Sequence, residues 1–463
     1  MTTRRSRAAL TTTLFALAIG LVWLSIIWGR RLQKRMPEIK LGAAPFVGRD
    51  QRDGWDWRAH WQLAIPIVIA CVVVFAAPHV ITRWRLRWVA LATGLTAGAF
   101  AVALAFGDGS DGLFHGATDK TEYYANLSQT REWRSFLSTF VDRLPYYSVH
   151  VRGHPPGFTL VLKAIAAIGL HGAWPVVTLS IIGVVTTPIA VLIAVHRLAG
   201  SSWARRAAPF LVVTPYAIWQ ITSADAFYTA VTSASVAMFA VALTAPRWQA
   251  GAASLAGGLL IGLSLFFTYG AVTFLIVLGA VVGSSWRRKR RIAMVIALSS
   301  IAALAVLFAY RSFGFWWFDG ASALRKQYWA GTAKFRTWTY FALSNVAVLL
   351  VAVGPAVLAG VGRLRVRGLW ILCGAALVAI TASEVSQYSK GEVERIWLLF
   401  YPWVMLGAAP LATAGAAPLA TTDAAPLATT DGLDGPGVAT LRVWLVIQAA
   451  VAIVLQSWLV SKW

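Results

Sequence analysis

Two carboxylates stand three residues apart in "GATDKTEYYANL", Asp119 and Glu122. On a helix that spacing brings both to one face, where they could enter the same cavity. A carboxylate so placed can take the proton of an alcohol as the alcohol attacks, as glycosyl or phosphoryl transfer to a hydroxyl requires. The plainer reading is a solvated loop whose acids cap turns. Further on, "YYSVHVRGHPP" sets His150, Arg152 and His154 at i, i+2 and i+4. If the chain is extended there, all three side chains share one side. Basic groups converging in this way suit a phosphate or pyrophosphate. The spacing could also begin a zinc site, but no third ligand of matching geometry presents itself. A divalent metal ion therefore stays open as a cofactor, and no residue is assigned to it. The plainer reading of the histidines is hydrogen bonding beside Pro155 and Pro156.

A second concentration lies in "SEVSQYSKGEVERIWLLFYPW", with Glu392, Glu394 and Arg395 ahead of Trp397, Tyr401 and Trp403. The aromatics are most simply an interfacial belt. Arg395 is different, because a guanidinium at the edge of an apolar run is costly unless it is paired or used for an anion. Asp225 in "ITSADAFY" is a lone acid where two apolar runs meet, and it invites the same question. The stretch "SFGFWWFDGASALRKQYWAG" adds aromatics that could stack on a sugar ring or hold a lipid chain, with belt residues again the plainer account.

These groups need a scaffold, and the composition says which kind. The 463 residues are 58% hydrophobic and 13% charged, about half the charge of an ordinary soluble domain. Apolar runs of roughly 17 to 22 residues recur from end to end, the pattern of an all-α, polytopic transmembrane bundle. About thirteen spans are expected, beginning near residues 8, 62, 89, 173, 205, 226, 252, 270, 292, 340, 369, 397 and 441. The first follows Arg4, Arg5 and Arg7 and is too long for a signal-peptide core, so it reads as a retained helix. With the N-terminus inside, the clusters Arg83–Arg87, Arg197–Arg206, Arg287–Arg291 and Arg363–Arg367 all face the cytoplasm, as the positive-inside rule asks. This placement accounts for the formal charge of +23 and argues against nucleic acid as a partner.

The same count puts 107–154, 311–339 and 383–396 on the outer side, and the acids Asp108, Asp111, Asp119, Glu122, Glu132, Asp142, Asp319, Glu384, Glu392 and Glu394 go with them. One segment conflicts: 30–61 is strongly basic yet falls outside. The run Pro155–Leu170 is short and reads as a re-entrant or interfacial helix, since irregular backbone such as His-Pro-Pro-Gly survives at membrane depth only where it is buried or lines a cavity. Residues 1–407 read as the transmembrane region that carries the candidate catalytic groups, with 107–154 as its outer loop. "AAPLAT" recurs at 408, 416 and 424, so 408–440 reads as a flexible linker to a last helix at 441–463. No Walker A or Gly-x-Gly-x-x-Gly motif is present, and Cys71 and Cys373 lie in apolar runs as packed thiols.

The order of these features resembles the GT-C superfamily of polytopic glycosyltransferases, in particular bacterial members that use polyprenyl-phosphate sugars. The likeness lies in the acid-bearing loop with "EYY", then "HPPG" opening a short helix, then "VLIAVHRLAG" and "ARRAAPFLVVTPYAIWQITSADAF". It spans about 90 to 245 and extends more weakly to "GEVERIWLLFYPW". The resemblance implies an inverting transferase in a bacterial inner membrane, with its site on the extracytoplasmic face. Its partners would be a polyprenyl-phosphate sugar donor, membrane lipid, and a glycan, glycolipid or protein acceptor. Asp119 or Glu122 would be the catalytic base. His154 matches the position heading the Pro-Pro element and Arg395 the late-loop position that would hold the donor phosphate; His150, Arg152, Glu392, Glu394 and Asp225 join them as donor-phosphate or substrate candidates from their own placement. This sequence spaces its two acids by three, where the family more often has adjacent acids. The rival expectation is a transporter or flippase for a lipid-linked or anionic substrate, which would carry charges near the midplane of several helices and often a repeat. Here the ionisable groups gather at one edge, and no two-fold repeat is visible.

Overall fold

The computed structural model describes residues 4–39, 46, 56–130, 132–221, 223–412 and 436–459. Among them the regular structure is helical throughout. Ten helices are long and apolar enough to cross a membrane, as expected of a multi-pass membrane protein. They are α1 (Arg4–Arg35), α2 (Ala64–Arg83), α3 (Leu86–Ala105), α8 (Trp174–Ala199), α10 (Asp225–Thr244), α11 (Arg247–Phe267), α13 (Lys289–Ser312), α15 (Trp338–Gly360), α16 (Arg367–Val385) and α19 (Pro436–Trp458). Shorter pieces join them: α4 (Gly109–Thr118), α5 (Trp133–Ser138), α6 (Val149–Gly153), α7 (Gly157–Ala167), α9 (Ser201–Ala207), α12 (Ala271–Gly283), α14 (Trp317–Ala330), α17 (Val393–Ile396) and α18 (Tyr401–Val404).

Three of the runs expected to span, from 205, 270 and 397, are not long helices. Residues 201–219 are α9 followed by 3-10 turns at Ala208–Leu211 and Pro215–Trp219. The run from 270 is the 13-residue α12, and 393–411 is α17, α18 and two further 3-10 stretches. Most of the first and third segments is buried, including Trp219, Trp397 and Trp403. Broken backbone of this kind is stable in an apolar bundle only where protein surrounds it.

Helices in an apolar solvent gain little from hiding grease, so close backbone approach has to hold them together. At α8 and α10 a β-carbon on Gly183 would lie 2.4 Å from the Ala226 carbonyl oxygen; at α11 and α13 one on Gly258 would lie 2.1 Å from that of Ser299. Side chains at either site would force the pairs apart. α15 is kinked at Gly354 (φ 76°), just before Pro355. Gln448 of α19 closes the break: its amide accepts from Ala356 N at 3.0 Å and donates to Val353 O at 2.7 Å.

The basic turns gather at one end of the bundle. Arg205 donates to the carbonyls of Ile81 and Trp84 beside the α2–α3 turn. Arg288 and Arg291 donate to carbonyls at the end of α10, and Gly368 packs on Leu198 O. The opposite end carries α4–α7, α14 and α17. Arg58, from the basic segment 30–61, belongs to that second end: it pairs with Asp108 and with the end of α19. Lys40, Arg49 and Arg52 of that segment lie outside the described residues. α7 has 11 residues and is about 16 Å long, too short to cross and of the length expected for a half-inserted piece. Residues 408–411 are buried 3-10 chain and α19 begins at Pro436. The remaining linker, 413–435, with two of the three repeats, lies outside the described residues.

Candidate active site

Arg395 is the hub of the loop end, and its own short helix explains how it gets there. Gly391 (φ 90°) and Glu392 (φ 61°) are both left-handed, and they turn the chain sharply into α17. Such a backbone at a non-glycine residue is strained and persists only when its surroundings hold it. Tyr401 donates to Val393 O at 2.8 Å, and the Trp397 indole donates to Ser383 Oγ at 3.0 Å. Arg336 adds a hydrogen bond to Lys390 O at 2.7 Å and a weaker ion pair to Glu392 at 3.8 Å. α14 clasps the same turn, with the Tyr328 hydroxyl on Gln387 O and Trp329 under the Lys390 ammonium. The aromatic stretch 313–331 therefore buttresses the arginine loop.

From this mount Arg395 reaches three distant segments. Its Nε donates to Asp225 Oδ2 at 3.0 Å and its Nη1 to Glu122 Oε1 at 3.0 Å. The same Nη1 lies 3.4 Å from His150 Nε2, which is itself 3.2 Å from Glu122 Oε1. All four residues are at least nine-tenths buried. Ser223 donates to the same Asp225 oxygen, Oδ2, at 2.9 Å. Glu122 is likewise held through one oxygen. Oε1 takes both Arg395 and His150, whereas Oε2 makes no hydrogen bond among the described residues.

One guanidinium thus faces two buried carboxylates. Burial pushes the Glu122 carboxyl up to about 7, with Arg395 opposing and Asp225 and Asp119 adding to the rise. Burial also works against the Arg395 charge, but Glu122, Asp225 and Glu392 outweigh it and the guanidinium stays protonated. Glu122 is therefore a carboxyl able to take or give up a proton near neutral pH.

The other expected residues sit differently. Asp119 and Glu122 do not share a helix face, because Asp119 leaves α4 with extended backbone (ψ 139°). Its Oδ1 accepts from Thr121 N at 2.7 Å and Thr121 Oγ1 at 2.5 Å, a local turn of the kind aspartate favours. The stretch with His150, Arg152 and His154 is the helical turn α6 with His154 as its C-cap, not extended chain. The two histidine rings lie 6.5 Å apart, while Arg152 falls off that line and makes no ion pair among the described residues. His154 Nδ1 lies 3.2 Å from Phe267 O. Since a carbonyl only accepts, this nitrogen must donate. Burial lowers the His154 pKa, against the pull of Asp225, which disfavours the charged ring that phosphate binding would use. Glu394 is buried, and Glu392 faces Arg336 at 3.8 Å. Among the described residues no group of three His, Cys, Asp or Glu is placed to hold a metal ion. A guanidinium 3.4 Å from His150 also disfavours a cation there.

Sequence reasoning missed Ser223 and the hydroxyl pair Tyr228–Tyr123 (2.8 Å), packed with His154 and Phe158 beneath the cluster. The tyrosine in "EYY" next to Glu122 was the available signal. No protein-family model matches the chain, no curated protein matches it, and no solved structure matches it.

Proposed function

We propose that the protein is a GT-C-type membrane glycosyltransferase that moves a monosaccharide from a polyprenyl-phosphate carrier to a hydroxyl of an extracytoplasmic glycan, glycolipid or protein. The observation that carries this reading is Glu122, a buried carboxylate with one oxygen held, the other unbonded and a pKa raised to about 7. A base whose pKa matches the working pH combines the correct protonation state with useful driving force.

In the reaction, Glu122 Oε2 takes the acceptor hydroxyl proton as that oxygen attacks the anomeric carbon. A new carbon–oxygen bond forms on one face. On the other face the bond to the phosphate oxygen breaks, and polyprenyl phosphate leaves with both electrons. The anomeric centre inverts. Arg152, in no ion pair among the described residues, is the guanidinium available to the leaving phosphate. Arg395 and Asp225 position Glu122, and His150 at 3.2 Å gives the collected proton a way out. The donor carries its own activation in the phosphate ester, so no nucleotide-binding fold is needed. Basic turns at the opposite end of the bundle orient the site away from the cytoplasm of a bacterial inner membrane.

The test uses the full chain in nanodiscs with a labelled polyprenyl-phosphate sugar and envelope glycolipid as acceptor. Wild type should transfer label. Glu122→Gln should lose at least about 100-fold, and Asp119→Asn much less. Wild-type rates in Glu122→Gln would defeat the assignment of the base. Label carried across the bilayer without a new glycosidic bond would favour a transporter.

A further inference from the structure

A polar cavity of ≈ 190 Å³ opens at the same end of the bundle, between α4, the 3-10 turn Pro215–Trp219 and the end of α19. Its polar lining is Arg58, Asp108, Asp111, His115 and Gln456, and its apolar lining includes Ile218 and Leu459. Asp108 is spoken for, because Arg58 and the Gln456 amide both donate to its Oδ2, at 2.5 and 3.0 Å. The remaining groups are not. Asp111 and His115 stand four residues apart on one face of α4, and neither side chain makes a hydrogen bond or ion pair among the described residues. Gln456 is nine-tenths buried; its Nε2 is bonded, but its Oε1 accepts nothing among the described residues. That oxygen lines a cavity large enough for several waters, at ~30 Å³ each, and is open to a donor from a ligand.

The lining selects a ligand class. Arg58 and Asp108 cancel, and Asp111 leaves a net negative wall, which repels phosphates and other anions. A metal ion is also disfavoured, because among the described residues no three ligating groups converge. What the wall presents is a set of acceptors (a carboxylate, an imidazole nitrogen and an amide oxygen) beside aliphatic side chains. That is a match for a neutral molecule with several hydroxyl donors on one side and C–H groups on the other. The cavity also shares its two walls with the cluster. α4 leads from Asp111 and His115 to Asp119 and Glu122, and the turn bearing Ile218 leads on to Ser223 and Asp225.

We infer that this cavity binds a single sugar ring through Asp111, His115 and Gln456. Its role as the subsite for the acceptor's sugar rests on the transferase reading; the binding itself does not. Asp111 and His115 are exposed, so substituting them leaves the fold intact, and a thermal melt checks this.

The experiment is saturation-transfer NMR on the full chain in nanodiscs, with the methyl glycosides of glucose, galactose, mannose and arabinose as probes. At least one should bind wild type. Asp111→Asn and His115→Ala should each weaken it about fivefold, the loss of roughly one hydrogen bond. Asp142→Asn, an exposed acid elsewhere on the loop end, should leave it unchanged. The inference is overturned if no probe binds, or if binding survives undiminished in both variants. A parallel assay of transfer from the polyprenyl-phosphate donor separates the two proposals. Transfer without glycoside binding sinks the subsite alone. Asp111-dependent binding without any transfer sinks the transferase reading and leaves the sugar site standing.

Discussion

Two arginines at one end of the bundle each gather remote segments, and they do so on opposite terms. Arg58 meets a single carboxylate, Asp108, and spends its other donors on the carbonyls of Gln456 and Leu459 at the end of α19. Both side chains of that pair are about a quarter exposed. Arg395 meets two carboxylates, and every member of its cluster is buried. The first arrangement balances one charge against one and fastens a helix end. The second keeps a surplus negative charge away from water, and a proton on Glu122 or on His150 beside it relieves that surplus. Equal numbers of plus and minus make a rivet; an unequal count under burial raises a carboxyl toward neutral pH.

The comparison is sharpest at Arg395 itself. Arg395→Met would leave Glu122 and Asp225 buried without their cation, and breaking a buried pair in this way costs about 3–5 kcal/mol. Glu122 can escape by taking a proton, so the lower end of that range is expected, read as a lowered thermal midpoint together with complete loss of transfer. Glu122→Gln should separate the two effects. Removing the surplus charge should hold or raise the midpoint, while transfer falls by at least about 100-fold. A midpoint that drops as far as in Arg395→Met would mean that Glu122 is a structural partner.

The third measurement is against pH. The Glu122 carboxyl is raised from 4.5 to about 7, so it binds a proton more tightly folded than unfolded. Its contribution to stability is complete below pH ~4.5 and is lost as pH rises through ~7. Activity runs the other way, because the base must be ionised, and transfer should climb through an acid limb near pH 7. An acid limb near pH 4.5 would show an ordinary, solvated carboxylate at work. The smallest effects belong to the other arginine. Arg58→Ala should cost about 1 kcal/mol, from carbonyls losing their donor. Asp108→Asn should cost less than about 0.5 kcal/mol and grow smaller still in high salt.

How far the sequence could be read follows the same physics. Glu122, Asp225 and Arg395 stand out because charge beside long apolar runs is rare and has to be accounted for. The long helices stand out through hydropathy alone. The runs from 205 and 397 misled because hydropathy reports burial, and a string of short turns inside protein is as apolar as a continuous helix. The geometry of His150, Arg152 and His154 was misjudged for a related reason. Five residues before a proline pair carry no period, and the choice between extended and helical was made by packing against Tyr123, Tyr228 and Phe158. Asp111, His115 and Gln456 gave no local sign, since 341 residues separate the last two and only the folded bundle makes them neighbours.

Gln448 has a consequence for how the chain is made. The α15 kink keeps a carbonyl and an amide open until the α19 side chain arrives to close them, and α19 leaves the ribosome after α15. Until then the inserted helices share a bilayer with an unfinished joint beside Pro215, and Arg58 lacks the helix end it will grip. Closure of the kink therefore waits on α19. That helix acts as a keystone, and a stop codon placed after residue 412 should yield a chain cleared by membrane quality control before it can be assayed for transfer.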